Sequence, residues 1–291
     1  MLPESNLIND VERWVISSLS PDFTEREKHS MLRILREDIL NITQIDRLKI
    51  PMIRVSEGDL VKLKKSIIKI NKAVPVQYVT GKSFFCGIEL EINNHVLIPR
   101  PETEELCELA VSNLLNSSQA VLDLCSGSGC IALALKKKMP NVEVYALEIS
   151  KKAIELAKKN AQTHDLSINW LENDIFSDKW VGPLVKKMDV IISNPPYVLE
   201  KDKASMEKQV LDHEPHLALF VNDDDPLIFY HRILNLGNKL LKENGKLFVE
   251  AHENMCTELL NLFCEFGFRE VKIEKDLQGK NRFVWGTKQD I

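Results

Sequence analysis

Long hydrophobic runs are missing from this 291-residue chain. No apolar stretch approaches the ~20 residues that a membrane-spanning helix needs. The opening Met1-Leu-Pro-Glu lacks both the basic leader and the apolar segment of an export signal, so a cytoplasmic location is expected. Missing too is any Cys-x-x-Cys. The cysteines Cys86, Cys107, Cys125, Cys130, Cys256 and Cys264 are scattered. Without an export signal they read as reduced thiols that fill core space, and no metal site is expected. An excess of positive charge is also absent. The net charge is −5, a poor match for a protein that grips a phosphate backbone. The balance is +2 over residues 1–80 and −7 over the remainder, so the acidic part is the second one. Internal repeats and low-complexity tracts are lacking. What is left, 44% apolar and 28% charged residues, is the composition of a soluble globular protein.

The first 73 residues carry helical periodicity. Leu7, Val11, Trp14, Val15 and Leu19 recur every three to four positions, as do Met31, Leu32, Leu35 and Ile39, and then Leu60, Leu63, Ile67 and Ile70. Pro21-Asp22 and Pro51 punctuate these runs. A small N-terminal helical bundle is predicted over 1–74. Residues 75–98 change character: apolar residues alternate on either side of Asn93-Asn94, which predicts a β-hairpin linking two domains. Pro99-Arg-Pro-Glu-Thr-Glu-Glu105 then opens a helix running through Leu106, Leu109, Ala110 and Leu114, with Thr103 suited to its N-terminus. Arg100 and Glu102 on this rigid segment either organise a substrate entrance or form an ion pair at the helix start.

From residue 120 strands and helices alternate. Strands are predicted at 120–124, 142–147, 168–171, 190–193 and 246–250, with helices at 131–138, 150–161, 227–242 and 255–266 between or after them. A final antiparallel pair is expected near 268–275 and 281–286. Such alternation means a mostly parallel sheet covered on both faces by helices.

Two loops at strand ends carry the chemistry. Asp123-Leu-Cys-Ser-Gly-Ser-Gly129 joins a strand to a helix start. Gly127 and Gly129 let the backbone approach a ligand and take positive φ, and Asp123, Cys125, Ser126 and Ser128 complete a cofactor-binding loop. Ala132 stands where a dinucleotide fingerprint has its third glycine. Glu148 ends the second strand, about twenty residues on, placed for ribose hydroxyls. These features suit NAD and S-adenosyl-L-methionine alike. Asp174, after the third strand, is placed either to accept from an adenine amino group or to cap a helix that follows, and Ile175 to supply an apolar wall.

The other loop decides between the two cofactors. Met188 to Ile192 is an apolar strand that ends at Ser193-Asn194-Pro-Pro-Tyr197. Proline cannot continue a ladder, and it holds the preceding Asn194 extended. The Asn194 side-chain oxygen and the Pro195 carbonyl can accept the two N–H groups of an NH2 whose lone pair is delocalised. Pro196 stiffens the loop, and Tyr197 can stack on the planar group. This suits methyl transfer to a conjugated nitrogen and has no use in hydride transfer. His213, His216 and His252 are given no role, since an alkylated nitrogen needs no base in the transition state.

The stretches Pro75–Gly81, Val96–Glu104, Val121–Gly129, Ser193–Tyr197 and His213–Leu219, in this order, resemble the protein-(glutamine-N5) methyltransferases that modify peptide chain release factors. The resemblance implies an α/β fold: a class I S-adenosylmethionine-dependent methyltransferase with a Rossmann-like seven-stranded sheet, and a small N-terminal helical bundle joined by a β-hairpin linker. It further implies S-adenosyl-L-methionine as cofactor and the glutamine of a Gly-Gly-Gln loop as acceptor. Release-factor docking falls to 1–74, linkage to 75–98 and catalysis to 99–291, with a monomer and no nucleic-acid or membrane partner expected. Cys125 departs from the family, which usually has glycine there, and Glu148 stands for the usual aspartate. The rival readings are an adenine-N6 methyltransferase acting on nucleic acid, disfavoured by the acidic second part, and a non-catalytic adaptor that binds translation factors.

Overall fold

The computed structural model describes residues 2–50, 52–113, 120–182, 184 and 187–289. Pro51 and Leu114, used above as a helix breaker and a helix residue, lie outside them. The chain forms two compact units, Met1–Lys82 with Glu207–His213, and Ser83–Met206 with Glu214–Ile291.

The first unit opens with α1 (Ile8–Ser18), α2 (Glu25–Leu40), α3 (Gln44–Lys49), α4 (Glu57–Ile70) and α5 (Val76–Thr80). Their starts are written in the sequence. Thr24 and Glu27, and again Thr43 and Asp46, form reciprocal capping boxes, and the Ser56 hydroxyl accepts from the Asp59 N–H. The periodic residues become one apolar core: Val11, Trp14, Val15 and Leu19 meet Met31 and Leu35, and Leu63, Ile67 and Ile70 close it. Leu32, Ile39 and Leu60 stay partly buried at its edge.

The second unit begins with the hairpin of β1 (Lys82–Phe85) and β2 (Ile88–Glu91). Its turn is Cys86-Gly87, both at positive φ, as a two-residue hairpin turn requires. The expected turn at Asn93-Asn94 is therefore corrected. Asn93 instead follows the second strand, where its side chain and carbonyl accept from His95 and Val96. Next come α6 (Pro101–Ser112), β3 (Ala120–Leu124), α7 (Cys130–Lys138), β4 (Glu143–Glu148), α8 (Lys151–Thr163), β5 (Asn169–Glu172) and β6 (Met188–Ser193). The short strands β7 (Val198–Leu199) and β8 (Phe220–Val221) pair with each other, with α9 (Lys208–His213) between them in sequence. The chain ends with α10 (Ile228–Leu240), β9 (Leu241–Glu250), α11 (Cys256–Glu265), β10 (Phe268–Lys275) and β11 (Asn281–Lys288).

Seven strands form one sheet in the order β10-β11-β9-β6-β3-β4-β5. The five from β9 to β5 are parallel, and β11 runs antiparallel between β9 and β10. β3 is buried along its whole length, as a central strand covered on both faces must be. The order reverses between β3 and β6: the chain first builds outward through β4 and β5, then returns to the other side. Ligands of such sheets bind at the carboxyl ends beside this reversal. Among the described residues no helix is long and apolar enough to cross a membrane.

One glycine shows how tightly the central loop is packed. Gly129, at φ +78°, begins α7 under the Trp170 indole, and a Cβ there would lie 2.7 Å from the ring and 3.1 Å from Ala157. Gly127 also has positive φ, +53°, but open space around it. Gly129→Ala is expected to cost about 2–4 kcal/mol, adding a left-handed penalty to overpacking, and Gly127→Ala about 1–2 kcal/mol. Urea midpoints of the two variants check the difference, and equal midpoints refute it.

Candidate active site

The two loops predicted from sequence meet at the strand reversal because of register. Leu124 pairs with Ser193, and Leu124 also pairs with Leu147, so the carboxyl ends of β3, β4 and β6 finish level. The Ser193 hydroxyl donates to the Leu124 carbonyl at 2.7 Å and ties the loops at their roots.

In the first loop the backbone turns back on its own strands. Ser126 N–H donates to the Leu147 carbonyl, Gly129 N–H to the Ser126 carbonyl, and Gly127 N–H to Glu148 Oε2. The other Glu148 oxygen accepts from the Ile149 and Ser150 N–H groups, so this carboxylate is held rigidly at the end of β4. Cys125 sits at φ +63°, in the left-handed region where glycine is free of strain. Burial pushes its thiol above the ordinary range. Asp123 is fully buried: Oδ2 accepts from Ala132 N–H, while Oδ1 has no partner. Ser126 Oγ is a second buried atom left without a partner, and Ser128 is also buried. Two orphaned polar atoms in one glycine loop call for a polar ligand, since an unpaired buried group costs about 1–3 kcal/mol.

Further along the edge, Asp174 Oδ1 accepts from Phe176 N–H in a turn, and among the described residues no helix follows it for Asp174 to cap. Ile175, the expected apolar wall, lies beneath the surface. Its side chain is 5% exposed and belongs to the core, while the next residue, Phe176, is 42% exposed and packs its ring against Phe229.

The second loop closes a small cavity of about 50 Å³, lined by Leu97, Arg100, Asn194, Pro195, Tyr197, Val198, Ala218 and Leu219. The carboxamide of Asn194 donates from Nδ2 to Thr103 Oγ1 at 2.9 Å. No described residue donates to its Oδ1 or to the Pro195 carbonyl. Pro195 and Pro196 are buried. Tyr197 donates its hydroxyl to Glu250 Oε1 at 3.1 Å, and burial, then the Glu250 charge, holds it above the ordinary phenol range. The cavity is thus lined by two residues with unsatisfied acceptors and by an aromatic side chain, with no histidine or carboxylate in its lining.

The site also corrects the reading of Arg100 and Glu102 as an ion pair. Arg100 reaches instead to the buried Glu214 at 2.6 Å, and Glu214 accepts from Ile98 N–H as well, which braces Arg100 against the cavity wall. Glu102 accepts from Gln278 and does not line the cavity. Thr103 is not at the helix start either: Pro101 begins α6 after Arg100, and Thr103 turns its hydroxyl inward. The histidines stay out of the cavity. His216 packs edge-on against Phe220, and His252 Nδ1 accepts from Asn254 N–H. Sequence reasoning missed Thr103 as a buried contact, along with Glu214 and Glu250. Glu250 had a readable signal, an acidic residue ending a predicted parallel strand.

Burial, and then the nearby Glu148 charge, raise the Asp123 carboxyl well above the ordinary carboxylate range. A raised acid favours the folded state most when protonated. The unfolded carboxyl ionises near ~4, so this contribution is full below that pH and is lost as pH rises toward the folded value. Asp123→Asn is expected to flatten the decline of melting temperature with rising pH, from pH 4 upward, in ligand-free protein. Parallel pH profiles for the variant and the parent chain would refute this.

Comparison with known proteins places this geometry. The family model of the methyltransferase small domain matches residues 103–217. A release factor glutamine methyltransferase from Flavobacterium psychrophilum is 34% identical over 284 residues, covering 96% of this chain and 98% of that protein. One from Bacteroides thetaiotaomicron is 36% identical, covering 95% and 99%. The crystal structure of a methyltransferase from Pyrococcus furiosus superposes with a TM-score of 0.52 at 17% identity, over 70% of this chain and 90% of that one, a likeness of fold alone. The reversed seven-stranded sheet is that of class I S-adenosylmethionine-dependent methyltransferases, and the chain belongs to the release factor glutamine methyltransferase family.

Proposed function

We propose that this protein methylates the side-chain amide nitrogen, N5, of the glutamine in the Gly-Gly-Gln motif of peptide chain release factors. S-adenosyl-L-methionine is the proposed donor. The observation that carries the reading is the cavity in which Asn194 Oδ1 and the Pro195 carbonyl stand without donors. The names of the full-length relatives point to the same acceptor.

The residues present fit the donor. Asp123 Oδ1 and Ser126 Oγ are buried without partners in the glycine loop and would be satisfied by a polar ligand there. Asp123, Cys125, Ser126, Gly127, Ser128, Gly129, Glu148, Asp174 and Ile175 are the proposed cofactor residues. Of these, Ile175 contributes from within the core. When bound, S-adenosyl-L-methionine supplies an electrophilic methyl group on a sulfonium.

The chain's own task is to present a nitrogen. An amide nitrogen is a poor nucleophile because its lone pair is shared with the carbonyl. Asn194 Oδ1 and Pro195 O each accept one N–H, which holds the nitrogen and draws its lone pair out of conjugation. The rigid Pro195-Pro196 segment limits rotation, and Tyr197 supports the amide plane. Positioning of this kind can lower a barrier by roughly 7–11 kcal/mol. Arg100, braced by Glu214, lines the cavity, and Glu102 is the proposed contact at the substrate entrance. The alkylated nitrogen loses its now acidic proton to solvent, so no residue is assigned as a base, and the Tyr197 hydroxyl stays protonated because its environment disfavours the phenolate.

We further propose that the first unit docks the protein substrate, through its groove of about 900 Å³ where Arg13, Arg33, Arg36 and Arg47 mix with Asp10 and Glu12.

The test is methyl transfer from labelled S-adenosyl-L-methionine to a purified release factor, beside its Gln→Ala variant and a DNA duplex. Label on the wild-type factor alone is expected. Label on DNA would overturn the acceptor. Asn194→Ala is expected to bind cofactor within about threefold of the parent chain while losing at least ~100-fold in kcat. Calorimetric loss of cofactor affinity with normal turnover at saturation would refute the role given to Asn194.

A further inference from the structure

We infer that Thr103 and Glu250 are positioning residues for this reaction: they dictate which end of the Asn194 carboxamide faces the acceptor cavity, and they hold Tyr197 in the same frame. The inference rests on the reading of Asn194 as the cradle of the reacting nitrogen and adds two residues that do not touch it.

A carboxamide has two ends of nearly equal size and opposite hydrogen-bonding character. Turned with Oδ1 toward the cavity, Asn194 accepts from an incoming NH2. Turned the other way, it meets that NH2 donor to donor, and the cradle fails. Something must select the first orientation.

Contact with Thr103 cannot select it alone, because a hydroxyl both donates and accepts. Thr103 Oγ1 has a second neighbour, however. It donates to Glu250 Oε2 at 2.7 Å, and an ionised carboxylate only accepts. The single hydroxyl proton is thereby committed to Glu250. Toward Asn194, Thr103 can only accept, so the Asn194 end facing it must be Nδ2, 2.9 Å away. The direction of donation runs from Asn194 through Thr103 to Glu250, and Oδ1 is left pointing away from Thr103.

Nothing nearby relaxes this choice. Thr103 is 2% exposed and Glu250 1%, so solvent does not replace either partner. The second Glu250 oxygen accepts from the Tyr197 hydroxyl, so one carboxylate sets both the amide and the ring. Glu250 is itself fixed. Its backbone carbonyl accepts from the Tyr230 hydroxyl at 3.0 Å, and Arg282, paired with the buried Asp276, lies close enough to favour the ionised form. Burial is the largest influence and raises the Glu250 carboxyl above its ordinary range, and the two hydroxyl donors and the nearby guanidinium oppose it.

Three variants test the inference: Thr103→Val removes the hydroxyl at constant shape, Thr103→Ser restores it, and Glu250→Gln keeps size but supplies an N–H that can donate to Thr103. The readouts are kcat and KM for the release factor, calorimetric affinity for S-adenosyl-L-methionine, and melting temperature. Thr103→Val and Glu250→Gln are expected to lower kcat by roughly 10- to 100-fold, the effect of mispairing one buried polar group. Thr103→Ser should stay within about threefold of the parent chain, and cofactor affinity should change by less than about twofold throughout. Folded Thr103→Val with undiminished kcat overturns the inference, as does a Thr103→Ser variant as impaired as Thr103→Val. If Thr103→Val does not fold, Glu250→Gln decides by the same kcat criterion. Absence of methyl transfer by the parent chain overturns the proposed function and this inference together. Transfer by the parent chain with unchanged variants overturns this inference alone.

Discussion

The site depends first on a backbone constraint, the parallel pairing of Val121–Leu124 with Val190–Ser193. Side chains alternate across a strand, so a slip of one residue would turn each side chain to the opposite face. In the observed register the two strands finish level, and their following loops leave the sheet side by side at the point where strand order reverses. The glycine loop with its unpartnered Asp123 and Ser126 atoms and the Asn194 loop with its bare acceptors are neighbours for this reason alone. The Ser193 hydroxyl on the Leu124 carbonyl locks the pairing where it matters most.

Much of this was readable from the chain. Continuous apolar runs such as Val190–Ile192 announce strands buried on both faces, and the alternation after residue 120 leaves few arrangements besides a parallel sheet. The helix start expected at residue 150 falls within one residue of the observed one, with Ser150 as its cap. The hairpin turn was harder. Asn-Asn is a good turn signal, but Cys86-Gly87 lies between two short alternating segments whose apolar residues bury, and pairing those segments puts the turn there. Tertiary burial outweighed local turn preference.

The site was legible in part, and the division has a physical basis. Residues that act through backbone shape, such as Gly127, Gly129 and Pro195, leave local signatures that a single sequence displays. Residues that act through long-range pairing leave no local sign of their partner. Glu214 meets Arg100 across 114 positions and Glu250 meets Thr103 across 147. Nothing in the neighbourhood of either residue names its partner. The expectation that Arg100 would pair with Glu102 followed from their closeness in sequence, yet Glu214, far along the chain and buried, has the stronger claim on a guanidinium because its desolvated charge must be compensated.

The span of those contacts sets an order on assembly. The glycine loop draws its internal bonds from residues 126–150, a short piece of chain that can organise early. The acceptor loop draws its orientation from α6, long before it, and from the end of β9, long after it. A nascent chain that has emerged only through β7 possesses every Asn194-loop residue but not the carboxylate that orients them. The half of the site proposed to bind the donor can therefore exist before the half proposed to recognise the acceptor, which would make specificity the last property the folding chain acquires.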